Sequence, residues 1–316
     1  MNDPQFDARG DLRHLLSLKN MPRASLQRLL DRAEDLLTHS HGGIELRGAL
    51  AGRALCTLFF EASTRTRSSF QLAAQRLGMD VLNFDASVSS GKKGETDLDA
   101  LRTLEAMGVD VFAVRHARDG AVAELAAAVR PSTVLINAGD GRSNHPTQGL
   151  LDMLTLRRHL GTDLAGLKIA IVGDVKHSRV ARSDLHALTA LGCRDIRVCG
   201  PAPLLPDTVE FPTARFSVDL DETLEGLDAV IMLRLQRERM QQGLVPSLQD
   251  YFRDFGLSSK RLERMSRHAL VMHPGPINRG IEIEDAVADG PQSVVLEQVA
   301  NGLPVRMAVM LELLGR

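Results

Sequence analysis

Strand-length apolar runs alternate with segments of helical period along this chain, and that alternation leaves few folds open to it. Ala54–Phe60, Val81–Phe84, Val109–Val114 and Val134–Ile136 are runs of the first kind. Leu26, Leu29, Leu30, Ala33, Leu36 and Leu37 recur at helical spacing, as do Leu98, Leu101, Leu104 and Met107, followed by the alanine-rich Ala121–Val129. The pattern resumes after a helix opened by Pro146, with strand candidates Leu167–Val172, Ile196–Cys199, Phe216–Val218, Ala229–Leu233 and Ala269–Met272. Continuous apolar strands separated by helices indicate βαβ units whose parallel strands are covered on both faces. The expected architecture is α/β, with two doubly wound parallel-sheet domains over residues 1–145 and 146–291. A C-terminal helix within 292–316 is expected to pack back on the first domain, broken or kinked at Gly302 and Pro304. The length of 316 residues agrees with two domains at about 150 residues each.

Composition narrows the function. Lys plus Arg (38) nearly balances Asp plus Glu (40), so there is no general basic field to hold nucleic acid. Aromatic residues are only 3%, too few for single-strand stacking platforms. No stretch approaches the ~18 apolar residues of a membrane span, and Met1–Asp11 lacks the apolar run of a signal peptide. Cys56, Cys193 and Cys199 are odd in number and form no CxxC pair, which disfavours both a disulfide framework and a thiolate zinc site. A cytoplasmic enzyme with no metal and no cofactor is the expectation, and any anion it binds must meet a local cluster of cations.

Ligands of open α/β sheets bind beyond the carboxyl ends of the strands, and polar residues gather at those places here. Ser63-Thr64-Arg65-Thr66-Arg67 follows the first strand and begins a helix. Hydroxyls, guanidiniums and a helix N-terminus suit a phosphate; an N-cap beside solvated arginines is the plainer alternative. Ser89-Ser90-Gly91-Lys92-Lys93-Gly94-Glu95-Thr96 lacks phosphate-loop spacing and reads as a solvated loop or a lysine-bearing lid. Arg115-His116 ends another strand. Asn137 to Asp140 leads through two glycines to His145-Pro146-Thr147-Gln148, where the imidazole sits at a helix start and would tend to stay neutral. Gly173-Asp174 with Lys176 and Arg179 lacks GxGxxG spacing, which excludes a dinucleotide turn. Arg234-Leu235-Gln236 and His273-Pro274-Gly275-Pro276 close the series. Each segment alone has an ordinary structural explanation as a cap or turn; together they put cations and neutral donors around an expected interdomain crevice.

The segments FFEASTRTR, GKKGET, VRH, NAGDG, HPTQ, VGD, RLQ and HPGP, in this order from about Asp11 to the C-terminus, resemble those of aspartate carbamoyltransferase catalytic chains. STRTR and HPTQ are shared by carbamoyltransferases generally, whereas GKKGET and RLQ are similar to the aspartate enzymes. Ornithine enzymes typically carry a cysteine in the segment matching His273–Pro276, and none is present here. The resemblance implies transfer of a carbamoyl group from carbamoyl phosphate to L-aspartate, giving N-carbamoyl-L-aspartate and phosphate in pyrimidine synthesis.

Carried over by motif, Ser63, Thr64, Arg65 and Thr66 hold the phosphate, and Thr66, Arg115 and His145 polarise the carbamoyl oxygen. Gln148 and the backbones of Gly275 and Pro276 grip the carbamoyl NH2, and Arg179, Arg234 and Gln236 bind aspartate. Lys93 touches both substrates and arrives with Ser89 from a neighbouring subunit of a homotrimer or dimer of trimers. Glu61 resembles the acid that pairs with the aspartate-binding arginines on domain closure. Gly275 replaces a leucine of well-studied members, at a position acting through its backbone. The resemblance leaves open whether regulatory or dihydroorotase-like chains bind. Two other readings are a carbamoyltransferase with another amine acceptor and a non-catalytic, anion-binding assembly subunit. Paired Arg179 and Arg234 suit ornithine poorly, and a full set of cations and donors weighs against the non-catalytic reading.

Overall fold

The computed structural model describes residues 3–39, 46, 48–85, 96–235 and 247–315. The chain divides into two compact units, Met1–Leu150 with Asn301–Arg316, and Leu151–Ala300. Both changeovers fall inside helices, Pro146–Leu160 and Val295–Leu314, so neither coincides with a loop.

In the first unit, α1 (Arg23–His39) precedes β1 (Ala54–Phe59), α2 (Thr64–Arg76), β2 (Asp80–Asp85), α3 (Asp97–Ala106), β3 (Val111–His116), α4 (Ala121–Ala126), β4 (Val134–Asp140) and α5 (Pro146–Leu160). The four strands form a parallel sheet in the order β2-β1-β3-β4. Side chains alternate across a strand: Cys56 and Leu58 of β1, Phe112 and Val114 of β3 and Leu135 of β4 share a core with Leu101 and Leu104 of α3 and Val122 and Leu125 of α4. α2 packs on β1 and β2. β3 and β4 are buried along almost their whole length, as a doubly covered parallel sheet requires.

The second unit repeats the plan with β5 (Lys168–Val172), α6 (Arg179–Leu191), β6 (Asp195–Cys199), β7 (Ala214–Ser217), α7 (Leu220–Thr223), β8 (Ala229–Met232), α8 (Leu248–Phe255), α9 (Ser259–Leu262), β9 (Leu270–Met272), α10 (Asp285–Ala288) and α11 (Val295–Leu314). Its five parallel strands run β7-β6-β5-β8-β9. Ala170, Val172, Val230, Met232 and Val271 pack with Leu220, Leu224, Leu257, Ile283 and Val287. Both sheets are doubly wound: the chain builds outward on one side of β1 or β5, then returns to that strand's other side.

The break expected in the last helix does not occur. α11 runs unbroken across Gly302 and Pro304. Pro304 sacrifices one helical hydrogen bond and costs about 3 kcal/mol in an isolated helix, but Val305, Met307, Ala308, Val309, Met310 and Leu311 are all buried. Packing of that face overrides the local preference. Among the described residues no helix is long and apolar enough to cross a membrane.

The N-terminal segment is stitched to the first sheet. Gln5 Oε1 accepts from the Leu16 and Ser17 amides at 2.7 and 2.8 Å, and Leu15 pairs in parallel with Ile136 of β4. His14 is fully buried beside them, its Nδ1 accepting from the Leu135 amide at 3.0 Å. Burial, chiefly, and the neighbouring Arg13 push its pKa down to about 3. The folded chain therefore refuses a proton that the unfolded chain accepts below about pH 6.5, and stability falls as pH drops through that range. His14→Asn keeps an acceptor in the Nδ1 position without a titrating group. From about pH 7.5 to about pH 5, the wild type is expected to lose about 2 kcal/mol more unfolding free energy than this variant in urea denaturation. An equal loss in both proteins would contradict a buried, neutral His14.

Candidate active site

A doubly wound sheet has one place where consecutive connections leave in opposite directions, and there the strand ends flank an opening. In the first sheet that place lies between β1 and β3, and in the second between β5 and β8. Of the described segments singled out by sequence, Ser63–Arg67 and Arg115-His116 lie at or beside the first of these places and Gly173–Arg179 and Arg234-Leu235 at the second, while Asn137–Gln148 and His273–Pro276 follow the edge strands β4 and β9.

After β1, the chain passes through Phe60-Glu61-Ala62-Ser63 into α2. Ser63 occupies the N-cap position with extended backbone, yet its side chain caps no amide; its hydroxyl instead donates to Thr66 Oγ1 at 3.0 Å. No acidic side chain lies in the first turn. The positive end of the helix, with its free N–H groups, is thus answered by none of these side chains and is suited to an anion. The two arginines of the motif separate: Arg65 is exposed, while Arg67 lies over the Phe59 ring at 5.1 Å. Thr64 is exposed and Thr66 buried.

Arg115, the penultimate residue of β3, is buried. Its Nη1 donates to the Ala138 carbonyl at 3.2 Å and its Nη2 to Glu61 Oε1 at 2.7 Å. Glu61, expected to pair with the aspartate-binding arginines on closure, is ion-paired with Arg115. A buried guanidinium demands a partner, and Glu61 supplies one within the same unit.

The turn after β4 is built around Asp140, which is 1% exposed. Its carboxylate accepts from Asn137 Nδ2 (3.0 Å), the Gly120 amide (3.0 Å) and the Asn144 amide (3.1 Å). Burial nevertheless holds its pKa above the ordinary carboxylate range. This anchor delivers His145 to the start of α5, where its carbonyl accepts from the Gln148 and Gly149 amides at 2.9 and 3.2 Å. The His145 side chain is buried, and Gln148 is half-buried in the first turn.

In the second unit, Gly173 follows β5 so close to Gly200 that a Cβ on Gly200 would overlap the Gly173 carbonyl oxygen. Asp174 Oδ1 meets His177 Nδ1 at 2.7 Å. Ser178 Oγ accepts from the Ala181 amide at 3.1 Å, a true N-cap, and Arg179 follows as the first residue of α6. Arg234 stands exposed just past β8. Its neighbour Leu235 is clamped: the Leu235 amide donates to Glu282 Oε1 (2.8 Å), and the Leu235 carbonyl accepts from Asn278 Nδ2 (3.1 Å). Glu282, fully buried, also accepts from the Asn278 amide and side chain at 2.6 and 2.7 Å.

His273 Nδ1 accepts from the Gly275 amide at 2.8 Å, so its proton sits on Nε2, which faces Glu282 Oε2 at 3.7 Å. Gly275 has φ +69°, a left-handed conformation that favours glycine. Glu282 and Asn278 escaped the sequence reading; the available signal was an acid set between two isoleucines, Ile281 and Ile283.

Ser89, Lys93 and Gln236 lie outside the described residues. Glu61, Ser63, Thr64, Arg65, Thr66, Arg115, His145 and Gln148 fall in the first unit; Arg179, Arg234, Gly275 and Pro276 fall in the second. The three cysteines offer no nucleophile: burial pushes the Cys56 thiol up to about 12 and Cys193 and Cys199 up to about 11.

Two family models match in succession: the aspartate/ornithine carbamoyltransferase carbamoyl-P binding domain over residues 13–158, and the Asp/Orn binding domain of the same family over residues 165–313. The chain is 64% identical over 315 residues to the aspartate carbamoyltransferase catalytic subunit of Xanthomonas campestris pv. campestris, covering 100% of each. Among solved structures, it is similar to aspartate transcarbamoylase from Trypanosoma cruzi in complex with carbamoyl phosphate and aspartate (TM-score 0.85, 31% identity, 99% of this chain and 98% of that one). It is also similar to ornithine carbamoyltransferase from Pyrococcus furiosus (TM-score 0.86, 27% identity, 96% and 97%). With matches along essentially its whole length, the chain belongs to the aspartate/ornithine carbamoyltransferase family.

Proposed function

We propose that the chain transfers the carbamoyl group of carbamoyl phosphate to the amine of L-aspartate, releasing N-carbamoyl-L-aspartate and phosphate for pyrimidine synthesis. The observation that carries this reading is the uncapped, acid-free first turn of α2, with exposed Arg65 on it and Arg115 at the end of β3. It supports a phosphate on Ser63, Thr64, Arg65 and Thr66. In the second unit, Arg179 at the start of α6 and Arg234 just past β8 take the two aspartate carboxylates, with Gln236 assisting.

The chemistry follows from these assignments. The neutral amine attacks the carbamoyl carbon, and charge develops on its oxygen. Thr66, Arg115 and His145 donate to that oxygen, and each such preorganised donor is worth about 3–4 kcal/mol of transition-state stabilisation. Gln148 and the backbones of Gly275 and Pro276 orient the NH2. Collapse of the tetrahedral intermediate breaks the bond to phosphate, and the departing phosphate takes the amine proton. Phosphate leaves readily, so no covalent enzyme intermediate is needed.

The first unit is assigned carbamoyl phosphate and the second aspartate, with the sequence division at 145/146 and the helix of 292–316 returning to the first. Glu61 pairs with the aspartate-binding arginines when both substrates are present and the domains close. The enzyme acts in the cytoplasm as a homotrimer, alone or as a dimer of trimers, in which Lys93 and Ser89 act on a neighbouring subunit's substrates; the resemblance to aspartate carbamoyltransferase catalytic chains supports the trimer.

Arg234→Ala is expected to raise the KM for aspartate at least about tenfold with little change in that for carbamoyl phosphate, and Arg65→Ala to do the reverse; a lost charged hydrogen bond is worth about 1.5–3 kcal/mol. Steady-state kinetics with each substrate varied check this, and unchanged aspartate kinetics in Arg234→Ala would defeat the assignment. Mixing inactive Lys93→Ala and Arg65→Ala chains should restore activity through sites that inherit both intact residues. No recovery after confirmed subunit exchange would count against a shared site.

A further inference from the structure

Four buried polar side chains of the second unit form a line that none of the site assignments uses. Asp184 lies on α6, the helix that begins with Arg179; Asp152 lies on α5 and Gln298 on α11; His273 follows β9. Asp184, Asp152 and His273 are 0% exposed and Gln298 is 1% exposed. Gln298 Nε2 donates to Asp152 Oδ1 at 2.6 Å, and Gln298 Oε1 accepts from the His273 amide at 3.0 Å. His273 Nδ1 in turn accepts from the Gly275 amide at 2.8 Å. The line thus runs from a pair of carboxyl groups to the backbone of the Pro274–Pro276 turn.

The far end is chemically unusual. Neither carboxyl oxygen of Asp184 has a hydrogen-bond partner among the described residues, although the Asp152 carboxyl group lies beside it. Two carboxylates in contact away from water cannot both carry charge, and a bond between them needs a proton. Asp152 receives the Gln298 amide, which supports its ionised form. Asp184 receives nothing, so the proton belongs there. Burial first, and then the Asp152 charge, hold the Asp184 carboxyl well above the ordinary range.

We infer that Asp184 is a neutral carboxylic acid donating its proton to Asp152, and that Asp184, Asp152 and Gln298 are positioning residues that set the His273–Pro276 backbone. The Asp184 proton keeps Asp152 ionised and oriented. Asp152 fixes the rotamer of Gln298, so that its carbonyl rather than its NH2 faces the His273 amide. An amide flipped at Gln298 would oppose two donors and release the turn. The role given to the turn rests on the proposed function, in which the Gly275 and Pro276 backbones grip the carbamoyl NH2.

The test uses the full-length protein in three forms besides the wild type: Asp184→Asn, Asp184→Leu and Gln298→Leu. At neutral pH, infrared spectra of the wild type are expected to contain a protonated-carboxyl carbonyl stretch that shifts in D2O and disappears in Asp184→Asn. The side-chain amide of that variant still offers Asp152 an N–H, so it should keep kcat and both KM values within about twofold. Gln298→Leu, and Asp184→Leu if it folds, should raise the KM for carbamoyl phosphate about tenfold while leaving that for aspartate within about twofold, since small misplacements of a gripping group are amplified in rate and affinity. A merely structural role would reduce the active fraction and spare both KM values.

Absence of the band overturns the shared proton, and an unchanged carbamoyl phosphate KM in Gln298→Leu overturns the positioning role. Were the wild type unable to transfer a carbamoyl group, the proposed function would fail, while the infrared result would still report on the acid pair.

Discussion

The strand order of the two sheets is the constraint on which the rest depends. In β2-β1-β3-β4 and β7-β6-β5-β8-β9, the connections diverge once, at β1/β3 and at β5/β8. At such a divergence no crossover covers the carboxyl ends, so polar backbone and side chains can face a ligand without being buried unpaired. The uncapped start of α2 and the end of β3 with Arg115 occupy the first of these places; Arg179 and Arg234 flank the second. With a formal net charge of only -2, the protein sets Arg115, Arg179 and Arg234 at two topologically equivalent points.

Holding those residues in place falls to buried acids. Asp140 organises the turn before His145, and Glu282 clamps the backbone on either side of Leu235 together with Asn278. Such groups are costly to bury and become tolerable only when their hydrogen bonds are complete. Asp140, Glu282 and Asp152 accept well-defined donors. Asp184 is the exception, and a bound proton resolves it.

The strands were legible because parallel strands buried on both faces must be apolar throughout, and the βαβ rhythm then required a doubly wound sheet. Ser63 was ambiguous for a physical reason: a serine before a helix can cap it or leave its amides to a ligand, and only the bond to Thr66 Oγ1 distinguishes the two. The pairing of Glu61 with Arg115 could not be read, since an ion pair between the segment after β1 and the end of β3 is set by three-dimensional proximity rather than spacing. The break expected at Pro304 is absent because burial along α11 outweighs the local preference. Glu282 stands between Ile281 and Ile283, and Asp184 among the buried positions of α6 with Ala181, Leu185 and Leu188, where sequence periodicity registers only an interruption. The roles of the site residues came from family resemblance, and residue types alone had left an ordinary turn or cap open at each.

The central claim is that the strand ends at these two divergences are the substrate-binding surfaces of a carbamoyltransferase. A crystal structure with a bisubstrate mimic, a phosphonate joined through an amide to L-aspartate, tests it most directly. The phosphonate is expected on the first-turn amides of α2 with Arg65, the amide oxygen on Thr66, Arg115 and His145, and the two carboxylates on Arg179 and Arg234. A mimic bound with its phosphonate away from α2, or with its carboxylates on other residues, would contradict the account.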